Sequence, residues 1–243
     1  MELNPKQQAH HLINKAQKIL VATRKNPEID SIGSILALSL VLEKMGKEID
    51  VVTSGPINSV LSFLPKYDKI SPKLDARRNF VISLDASKAK VASFSYDFSK
   101  DGKRLNVYIT PKEGSFETKD VSSETCGFGY DLICILDNPD LETLGSIYER
   151  NTDLFYNTPI INIDRNPSNE YFGEVNLVDI TASSCCEVLY SLIESLSPDY
   201  INDNVATCLL AGIISSTSSF QNSSTTPKSF TIAAQLIAAG ADQ

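Results

Sequence analysis

The chain has 243 residues, of which 42% are hydrophobic, and its formal net charge is −8. This length and apolar content suffice for one large α/β domain with a sizeable core. The negative balance excludes broad electrostatic capture of duplex nucleic acid or of an anionic membrane, because both depend on clustered lysine and arginine. The sequence shows neither the roughly 18 consecutive apolar residues of a membrane span nor the start of a signal peptide, so we expect a cytoplasmic protein.

The opening of the chain predicts a helix followed by a β-loop-α-β unit. Residues 4–17 have a helical pattern, and the apolar run 18–25 predicts a strand. A helix over residues 31–46, with Gly46 as its C-terminal stop, leads to a second strand over 48–54. This alternation is typical of the start of a parallel sheet.

Later segments repeat the alternation. Further strands are predicted over 80–85, 131–137 and 159–164, with a helix over 141–151 between the last two. These strands are apolar on both faces, as expected of parallel strands that helices cover on each side. The predicted fold class is therefore α/β, with a mainly parallel five-stranded sheet. The C-terminal third predicts three helices, over residues 180–196, 200–216 and 227–240.

One segment departs from this pattern. Residues 92–111 alternate apolar and polar side chains around an Asp-Gly turn. They predict a two-stranded antiparallel hairpin, placed in an insertion of about 88–128 into or against the parallel core. Apart from this insertion, we expect residues 1–243 to form a single domain.

The five cysteines are interpreted as structural thiols. Cys134, Cys185, Cys186 and Cys208 lie in apolar strand or helix patterns, and Cys126 lies in a glycine-rich loop. Buried free thiols in a reducing compartment fit this distribution. Adjacent cysteines on a helix point about 100° apart, so Cys185 and Cys186 make a poor metal pair.

Four aspartates follow predicted strands: Asp30, Asp85, Asp137 and Asp164. Ligands of open α/β sheets gather outside the carboxyl ends of the strands. Four carboxylates at that edge would repel one another unless cations, arginines or hydrogen bonds held them, which suggests a divalent-cation site. The alternative is that each aspartate caps the next helix or braces a loop, most plainly at Asp137, which precedes Asn138.

The loop between the first strand and its helix is a candidate anion site. Asp30 and Ser31 are predicted to precede a helix whose first turn carries Gly33 and Ser34. A helix start with small residues lets backbone N–H groups approach a phosphate. In the alternative reading, Asp30 or Ser31 is only the N-cap, and Gly33 only lets the helix pack closely on the sheet.

Four segments, in order, resemble the motifs of the DHH phosphoesterases, and most closely the oligoribonuclease and phosphoadenosine-phosphate phosphatase branch. Residues 24–34, RKNPEIDSIGS, resemble His-x-Asn-Pro-Asp-x-Asp-x-x-Gly-Ser, and Asp137 resembles the aspartate that ends a strand. Residues 164–169, DRNPSN, resemble the Asp-His-His signature with its Pro-Ser-Asn stretch. Residues 215–227 resemble a Thr-Asp-Thr-Gly-Ser-Phe segment ahead of Thr-Thr-Pro. The resemblance covers essentially the whole chain.

The resemblance implies a five-stranded parallel sheet with two Mn²⁺ ions over the strand ends, where they activate water for attack on a phosphoester. It also implies a C-terminal substrate-binding domain, which we expect to be absent here. Several positions depart from the motifs. Arg24 stands where the family has its first histidine, and Glu28 where it has its first aspartate. Arg165 and Asn166 stand in place of the paired histidines, and Ser216 in place of the last aspartate.

Three aspartates of the implied site remain, Asp30, Asp137 and Asp164, and the last is a supporting residue in the family. A residual metal site would consist of Glu28, Asp30 and Asp137, too few donors for two octahedral cations.

The two arginines bear on the same question. Because an arginine is always charged, Arg24 and Arg165 are predicted to replace the metal charge and to form salt bridges with the remaining aspartates. The only histidines, His10 and His11, lie in the first helix, outside every motif.

These departures favour a protein that has lost dinuclear-metal catalysis, needs no cofactor and acts as a binding or assembly module. Its ligand would be a nucleotide or short oligonucleotide whose phosphate is held by Arg24, Arg165, Gly33 and Ser34; a protein partner or a homodimer is the other option. The alternative hypothesis is an active phosphoesterase that uses Mn²⁺ or Mg²⁺. A catalytic serine in residues 214–227 is disfavoured, because the motifs contain no histidine to serve as its base.

Overall fold

The computed structural model describes residues 3–74, 80–125 and 128–242. Its contacts divide the chain into two compact units. The first comprises Met1–Ala76 with Gly129–Gln243, and the second comprises Arg77–Phe128. The candidate site belongs to the first unit.

The first unit is built on a six-stranded sheet in which all strands run parallel. The strands are β1 (Lys18–Thr23), β2 (Glu48–Val52), β3 (Ile70–Ser71), β8 (Leu132–Leu136), β9 (Ile160–Asp164) and β10 (Val175–Val178). Their spatial order is β10-β9-β8-β1-β2-β3. The central strands β8 and β9 are buried along their whole length, as expected of parallel strands covered on both faces.

Helices supply the rest of the first unit and most of its core. They are α1 (Pro5–Lys15), α2 (Ile29–Lys44), α3 (Ser146–Glu149), α4 (Thr152–Asn157), α5 (Cys185–Leu196), α6 (Asp203–Ser216) and α7 (Pro227–Ala238). Short 3-10 helices lie at Ser59–Phe63, Tyr67–Lys69, Glu142–Leu144 and Pro198–Tyr200. Helix α2 is buried over most of its length because α5 and α6 pack on it. Among the described residues, no helix is long and apolar enough to cross a bilayer.

The α/β class with a parallel sheet is confirmed, but the strand count and one assignment were wrong. The sheet has six strands because β3 and β10, with two and four residues, are too short to give a periodic signal. Residues 80–85 do not belong to this sheet. Strand β4 (Phe80–Leu84) pairs antiparallel with β7 (Val121–Thr125) in the second unit, so Asp85 does not follow a strand of the six-stranded sheet.

The prediction of one continuous helix over residues 141–151 was also wrong. The chain forms the 3-10 turn Glu142–Leu144, then α3, then α4, because Gly145 adopts a positive φ of 60° and interrupts the helix. The other predicted helices are present with shifted ends, and α1 begins after Asn4, whose side chain accepts a hydrogen bond from the Gln7 N–H.

The second unit contains the predicted hairpin. Strand β5 (Val91–Phe98) pairs antiparallel with β6 (Leu105–Pro111), and the 3-10 turn Thr118–Asp120 precedes β7. The antiparallel hairpin over 92–111 is therefore confirmed. Among residues 80–123 and 128 of this unit, only Ala89 and Asp120 are buried.

Four cysteines are buried free thiols, as predicted: Cys134, Cys185, Cys186 and Cys208. Burial raises the pKa of all four thiols, to about 12 for Cys134 and Cys208. Cys126 lies outside the described residues.

Candidate functional site

The candidate site lies at the carboxyl ends of three neighbouring strands. In the registers of the sheet, Thr23 of β1 pairs with Leu136 of β8, and Leu136 pairs with Ile163 of β9. Each of these strand ends carries a charged residue: Arg24 follows β1, Asp137 follows β8, and Asp164 is the last residue of β9. The parallel registers therefore bring charged residues from distant motifs to one edge, where α/β sheets bind ligands.

A cavity of about 240 Å³ opens at this edge. Its lining contains six of the residues singled out in the sequence, together with Pro167: Arg24, Glu28, Asp30, Asp137, Arg165 and Asn166. The cavity therefore combines two guanidinium groups with three carboxyl groups.

The start of α2 places the first acids. Glu28 is the N-cap residue, so Asp30 and Ser31 lie in the first helical turn and do not precede the helix as predicted. The Ser31 hydroxyl accepts a hydrogen bond from the Glu28 N–H at 3.1 Å and donates one to Oδ2 of Asp137. This serine thereby connects the β1-α2 loop to the end of β8.

The Asp30 carboxylate is turned toward the start of α5. Its Oδ2 atom accepts a hydrogen bond from the Cys185 N–H at 2.7 Å, and its Oδ1 atom accepts one from the Cys186 N–H at 3.0 Å. Asp30 is thus the anion at the N-terminus of that helix, where backbone dipoles favour negative charge. Burial raises the pKa of Asp30, although these hydrogen bonds and the charge of Arg165 act in the opposite direction.

Arg165 supplies a positive charge to the same carboxylate. Its Nε atom lies 3.8 Å from Oδ2 of Asp30, and about a third of its side chain is exposed. That Nε atom is itself buried and has no hydrogen-bond partner among the described residues. The predicted salt bridge of Arg165 with Asp30 is present, but it is an ion pair at long range and not a bidentate one.

Asp137 is the second acid of the cavity whose pKa is raised. Its pKa is raised to about 7, first by burial and then by the nearby charges of Asp30 and Asp164, against the Ser31 hydrogen bond and the charge of Arg24, which lower it. Its backbone has a positive φ of 52°, a conformation that aspartate and asparagine adopt more readily than most side chains. Arg24 therefore influences Asp137 through space; it forms no ion pair within 4 Å with any acid in the described ranges.

Asp164 is held by neutral groups and not by the predicted arginine salt bridge. It is fully buried, its Oδ1 atom accepts a hydrogen bond from the Arg165 N–H at 2.7 Å, and its Oδ2 atom accepts one from Nδ2 of Asn169 at 2.8 Å. Asn169 also accepts a hydrogen bond from Nδ2 of Asn162 at 2.8 Å. A buried amide cluster thus fixes the loop that presents Arg165.

Four predicted site residues do not line the cavity: Asp164, Gly33, Ser34 and Ser216. Gly33 packs against α6, because a Cβ atom there would lie 2.5 Å from the Cys208 carbonyl oxygen. Ser34 is fully buried, and its hydroxyl donates to the Ser31 carbonyl. Because α2 begins earlier than predicted, Gly33 and Ser34 lie beyond its first turn and not at the helix start, where the phosphate contact was expected. Ser216 ends α6 and is also absent from the lining.

Sequence reasoning missed the contacts that hold the acids in place. The N–H groups of Cys185 and Cys186 come from a helix about 155 residues further along the chain, and no side-chain pattern marks a backbone donor. The role of Asn169 could have been inferred, since this residue belongs to the Asp-Arg-Asn-Pro-Ser-Asn stretch that resembles the third motif. Ser31 also lies within a motif.

The donors present fit a dinuclear metal centre poorly. Both oxygens of Asp30 accept backbone hydrogen bonds, and the Nε atom of Arg165 lies 3.8 Å from one of them. A fixed cation at that position repels a metal ion. In the part of the chain that the structure describes, no group of three or more His, Cys, Asp or Glu side chains is arranged to hold a metal ion.

Comparison with known proteins gives the family. The family model described as "DHH family, N-terminal domain" matches residues 18–213. The chain is 26% identical over 222 residues to the bifunctional oligoribonuclease and PAP phosphatase NrnA of Thermus thermophilus, covering 91% of this chain and 50% of that protein. It is 34% identical over 80 residues to the uncharacterized protein MG371 of Mycoplasma genitalium, covering 33% of this chain and 24% of that protein.

A solved structure shows the same fold. An exopolyphosphatase-related protein from Bacteroides fragilis superposes with a TM-score of 0.70 at 19% identity, covering 98% of this chain and 57% of that chain. The matched part of this chain thus covers 50% of the Thermus thermophilus relative and 24% of the Mycoplasma genitalium protein.

Proposed function

Because the chain belongs to the DHH family, whose N-terminal domain model matches its residues 18–213, we propose that it is a phosphoesterase-like protein that binds a phosphate-bearing ligand without dinuclear-metal catalysis. The ligand class we propose is a nucleotide or a short oligonucleotide, bound at the carboxyl ends of β1, β8 and β9. The name of the Thermus thermophilus relative, an oligoribonuclease and PAP phosphatase, supports that class.

The single observation that carries this proposal is the arrangement around Asp30. Each oxygen of this carboxylate accepts one backbone N–H group, so about two of its four lone-pair sites are already occupied. The Arg165 guanidinium, 3.8 Å away, provides the compensating positive charge. The acid is therefore stabilised without an ion, and the protein's own side chain takes the place of the metal charge.

Anion binding in the cavity follows from the remaining charges. Arg24 and Arg165 both line it, and guanidinium groups match the geometry of phosphate oxygens. Of the acids beside them, Asp137 has a pKa of about 7 and is partly neutral near that pH. A phosphate group placed between the two arginines therefore meets less repulsion than three ionised carboxylates would give.

A second candidate function is an active Mn²⁺-dependent or Mg²⁺-dependent phosphoesterase. It is favoured by one observation: Glu28, Asp30 and Asp137 all line the same cavity, which gives three oxygen donors of the type these ions prefer. The two candidates differ in whether turnover requires the metal and in whether ligand binding requires the arginines.

The test is titration calorimetry of the purified chain with a nucleoside 3′,5′-bisphosphate, in chelator and then in Mn²⁺, together with a hydrolysis assay on the same compound and on a short RNA. We expect binding in chelator and no turnover. Arg24→Met and Arg165→Met should each weaken binding by about tenfold, as loss of a charged hydrogen bond predicts. Arg150→Met is the matched control, since Arg150 is exposed and does not line the cavity.

Two results would contradict the proposal. Turnover that requires Mn²⁺ and is abolished by Asp137→Asn would establish the second candidate. Failure of the bisphosphate and the RNA to bind in either buffer would remove the proposed ligand class, whatever the metal content.

A further inference from the structure

The β5-β6 hairpin of the second unit has one apolar face and one polar face. In its register, Phe94 pairs with Ile109, Tyr96 with Val107 and Phe98 with Leu105. Side chains of directly paired residues lie on the same face of a sheet, and every second residue shares that face. We call the face formed by these six residues the aromatic face. The opposite face carries Ser93, Ser95, Asp97, Asn106, Tyr108 and Thr110.

The aromatic face is exposed. Phe94, Tyr96 and Phe98 are 65%, 63% and 64% exposed, and Leu105 and Val107 are also exposed. The three rings form a continuous row, with centroids 6.5 Å apart between Phe94 and Tyr96 and 6.4 Å apart between Tyr96 and Phe98. Scattered apolar residues are normal at a protein surface, but a contiguous row of this kind marks an interaction site.

An isolated hairpin also needs a cover in order to be stable. A two-stranded sheet alone in water is marginally stable, and a hydrophobic face must pack against something. Among residues 80–123 and 128, only Ala89 and Asp120 are buried, so these residues supply no core for the aromatic face. The hairpin sequence is nevertheless a regular alternation over six paired positions, residues 93–98 with 105–110. The burial of this face is therefore expected to come from an added surface.

We propose that the aromatic face is a homodimer interface, covered by the same face of a second copy. The face is self-complementary, since β5 carries the large rings and β6 the smaller aliphatic side chains. A two-fold axis parallel to the strands places β5 of one copy over β6 of the other. Each ring row then packs on an aliphatic row, and Tyr96 lies over Val107 of the second copy. Isologous contacts of this kind are the commonest basis of dimers.

The area is consistent with this occupant. Exposed aromatic side chains present about 150–250 Å² each, so three rings that are two-thirds exposed contribute about 300–450 Å². With the aliphatic row, two copies bury roughly 1,000 Å², before any contribution from the polar rim. That value reaches the lower limit of about 1,000 Å² for a specific interface.

The test uses two tyrosine substitutions on opposite faces of the same hairpin. Tyr96→Ser removes a central ring of the aromatic face, whereas Tyr108→Ser removes a ring that is 53% exposed on the opposite face. Sedimentation equilibrium over a wide concentration range should show a dimer for the unaltered chain. Tyr96→Ser should raise the dissociation constant by about tenfold or more, as truncation of a central aromatic does at interfaces, and Tyr108→Ser should change it less than about threefold.

A second measurement remains informative if Tyr96→Ser weakens the hairpin. Chains carrying Tyr96→Cys and chains carrying Val107→Cys are mixed and treated with a short bismaleimide. The proposed two-fold axis predicts that the mixture is cross-linked more strongly than either chain alone.

Three results would overturn the proposal. The first is a chain that stays monomeric at every concentration, whether or not another surface covers the face. The second is a dimer whose dissociation constant both serine substitutions change equally. The third is cross-linking that is no stronger in the mixture than in either chain alone.

Discussion

The Nε atom of Arg165 lies 3.8 Å from Oδ2 of Asp30, and the same oxygen accepts a hydrogen bond from the Cys185 N–H. One carboxylate thus joins the strand-end loop after β9 to the N-terminus of α5. The pair explains how a buried acid is retained in a cavity whose donors fit a dinuclear metal centre poorly. It also makes the stability of the fold dependent on groups that line the cavity.

Arg165→Met should destabilise the protein mainly at alkaline pH. Removal of the cation raises the pKa of Asp30 further, because the nearby positive charge now lowers it. An acid whose folded-state pKa is raised costs stability above that pKa and costs little where it is protonated in both states. Since Arg165 is about a third exposed, we expect a loss of about 1 kcal/mol in the free energy of unfolding where Asp30 is ionised in the folded protein, and therefore a larger loss at pH 8 than at pH 5.

The measurement is urea unfolding of both chains at the two pH values. Arg165→Lys is the control, because it keeps the charge and should lose less stability at pH 8. An equal loss at both pH values for Arg165→Met would show that the guanidinium acts by packing and not by its charge.

Asp30→Asn should loosen the start of α5. An asparagine has one oxygen acceptor, so one of the N–H groups of Cys185 and Cys186 would face an amide N–H group instead of an oxygen. An unsatisfied buried donor costs about 1–3 kcal/mol. We expect a lower free energy of unfolding and faster hydrogen exchange at these two amides. Glu28→Gln, in the same cavity but exposed, should leave both amides protected; unchanged exchange in Asp30→Asn would contradict the assigned hydrogen bonds.

The sequence located the strand ends of the site better than it located their contacts. The apolar runs of β1, β8 and β9 are long enough to identify, and parallel registers then place Arg24, Asp137 and Asp164 at one edge. The role of Asp30 could not be inferred, because its partners are backbone groups of a distant helix.

The errors have equally physical causes. The stretch Phe80–Leu84 is apolar enough to suggest a buried strand, yet it is an exposed or half-buried member of a two-stranded sheet. The decision between those outcomes depends on pairing with Val121–Thr125, about forty residues away, which no local pattern encodes. The helix start at Ile29 was missed because Glu28 is an unusual N-cap residue.

Asp137→Asn should stabilise the protein at neutral and alkaline pH. The pKa of Asp137 is about 7 in the folded chain against an ordinary value of 3.8. The folded state therefore binds a proton that the unfolded state has lost between these values, and stability falls as the pH rises through that window. Asparagine keeps an oxygen for the Ser31 hydroxyl and tolerates the positive φ of this position.

The melting temperatures of both chains should be compared from pH 4 to pH 8. We expect the variant to gain several degrees at pH 8, with the difference growing between pH 4 and about pH 7 and constant above it. A difference that does not change with pH would mean that the substitution acts through packing. A less stable variant at pH 8 would show that the ionised carboxylate is held by groups stronger than those described.

Gly212→Ala should be strongly destabilising although alanine favours helices. A Cβ atom at this position of α6 would lie 2.3 Å from Sγ of Cys186 and 2.9 Å from Oδ1 of Asp30. Neither neighbour can retreat easily, because Asp30 is fixed by the start of α5 and Cys186 is fully buried between the helices. We expect a loss of about 3 kcal/mol in the free energy of unfolding, at the upper end of the cost of overpacking a core.

The cause can be isolated with a second substitution. Cys186→Ala removes the sulfur atom that the new methyl group would meet, so the double variant should recover part of the loss in a double-mutant cycle. Recovery should be incomplete, because the contact with Asp30 remains. If Cys186→Ala gives no recovery, the close approach of α6 to the site is limited by Asp30 alone, and the same cycle with Asp30→Ala should then show the coupling.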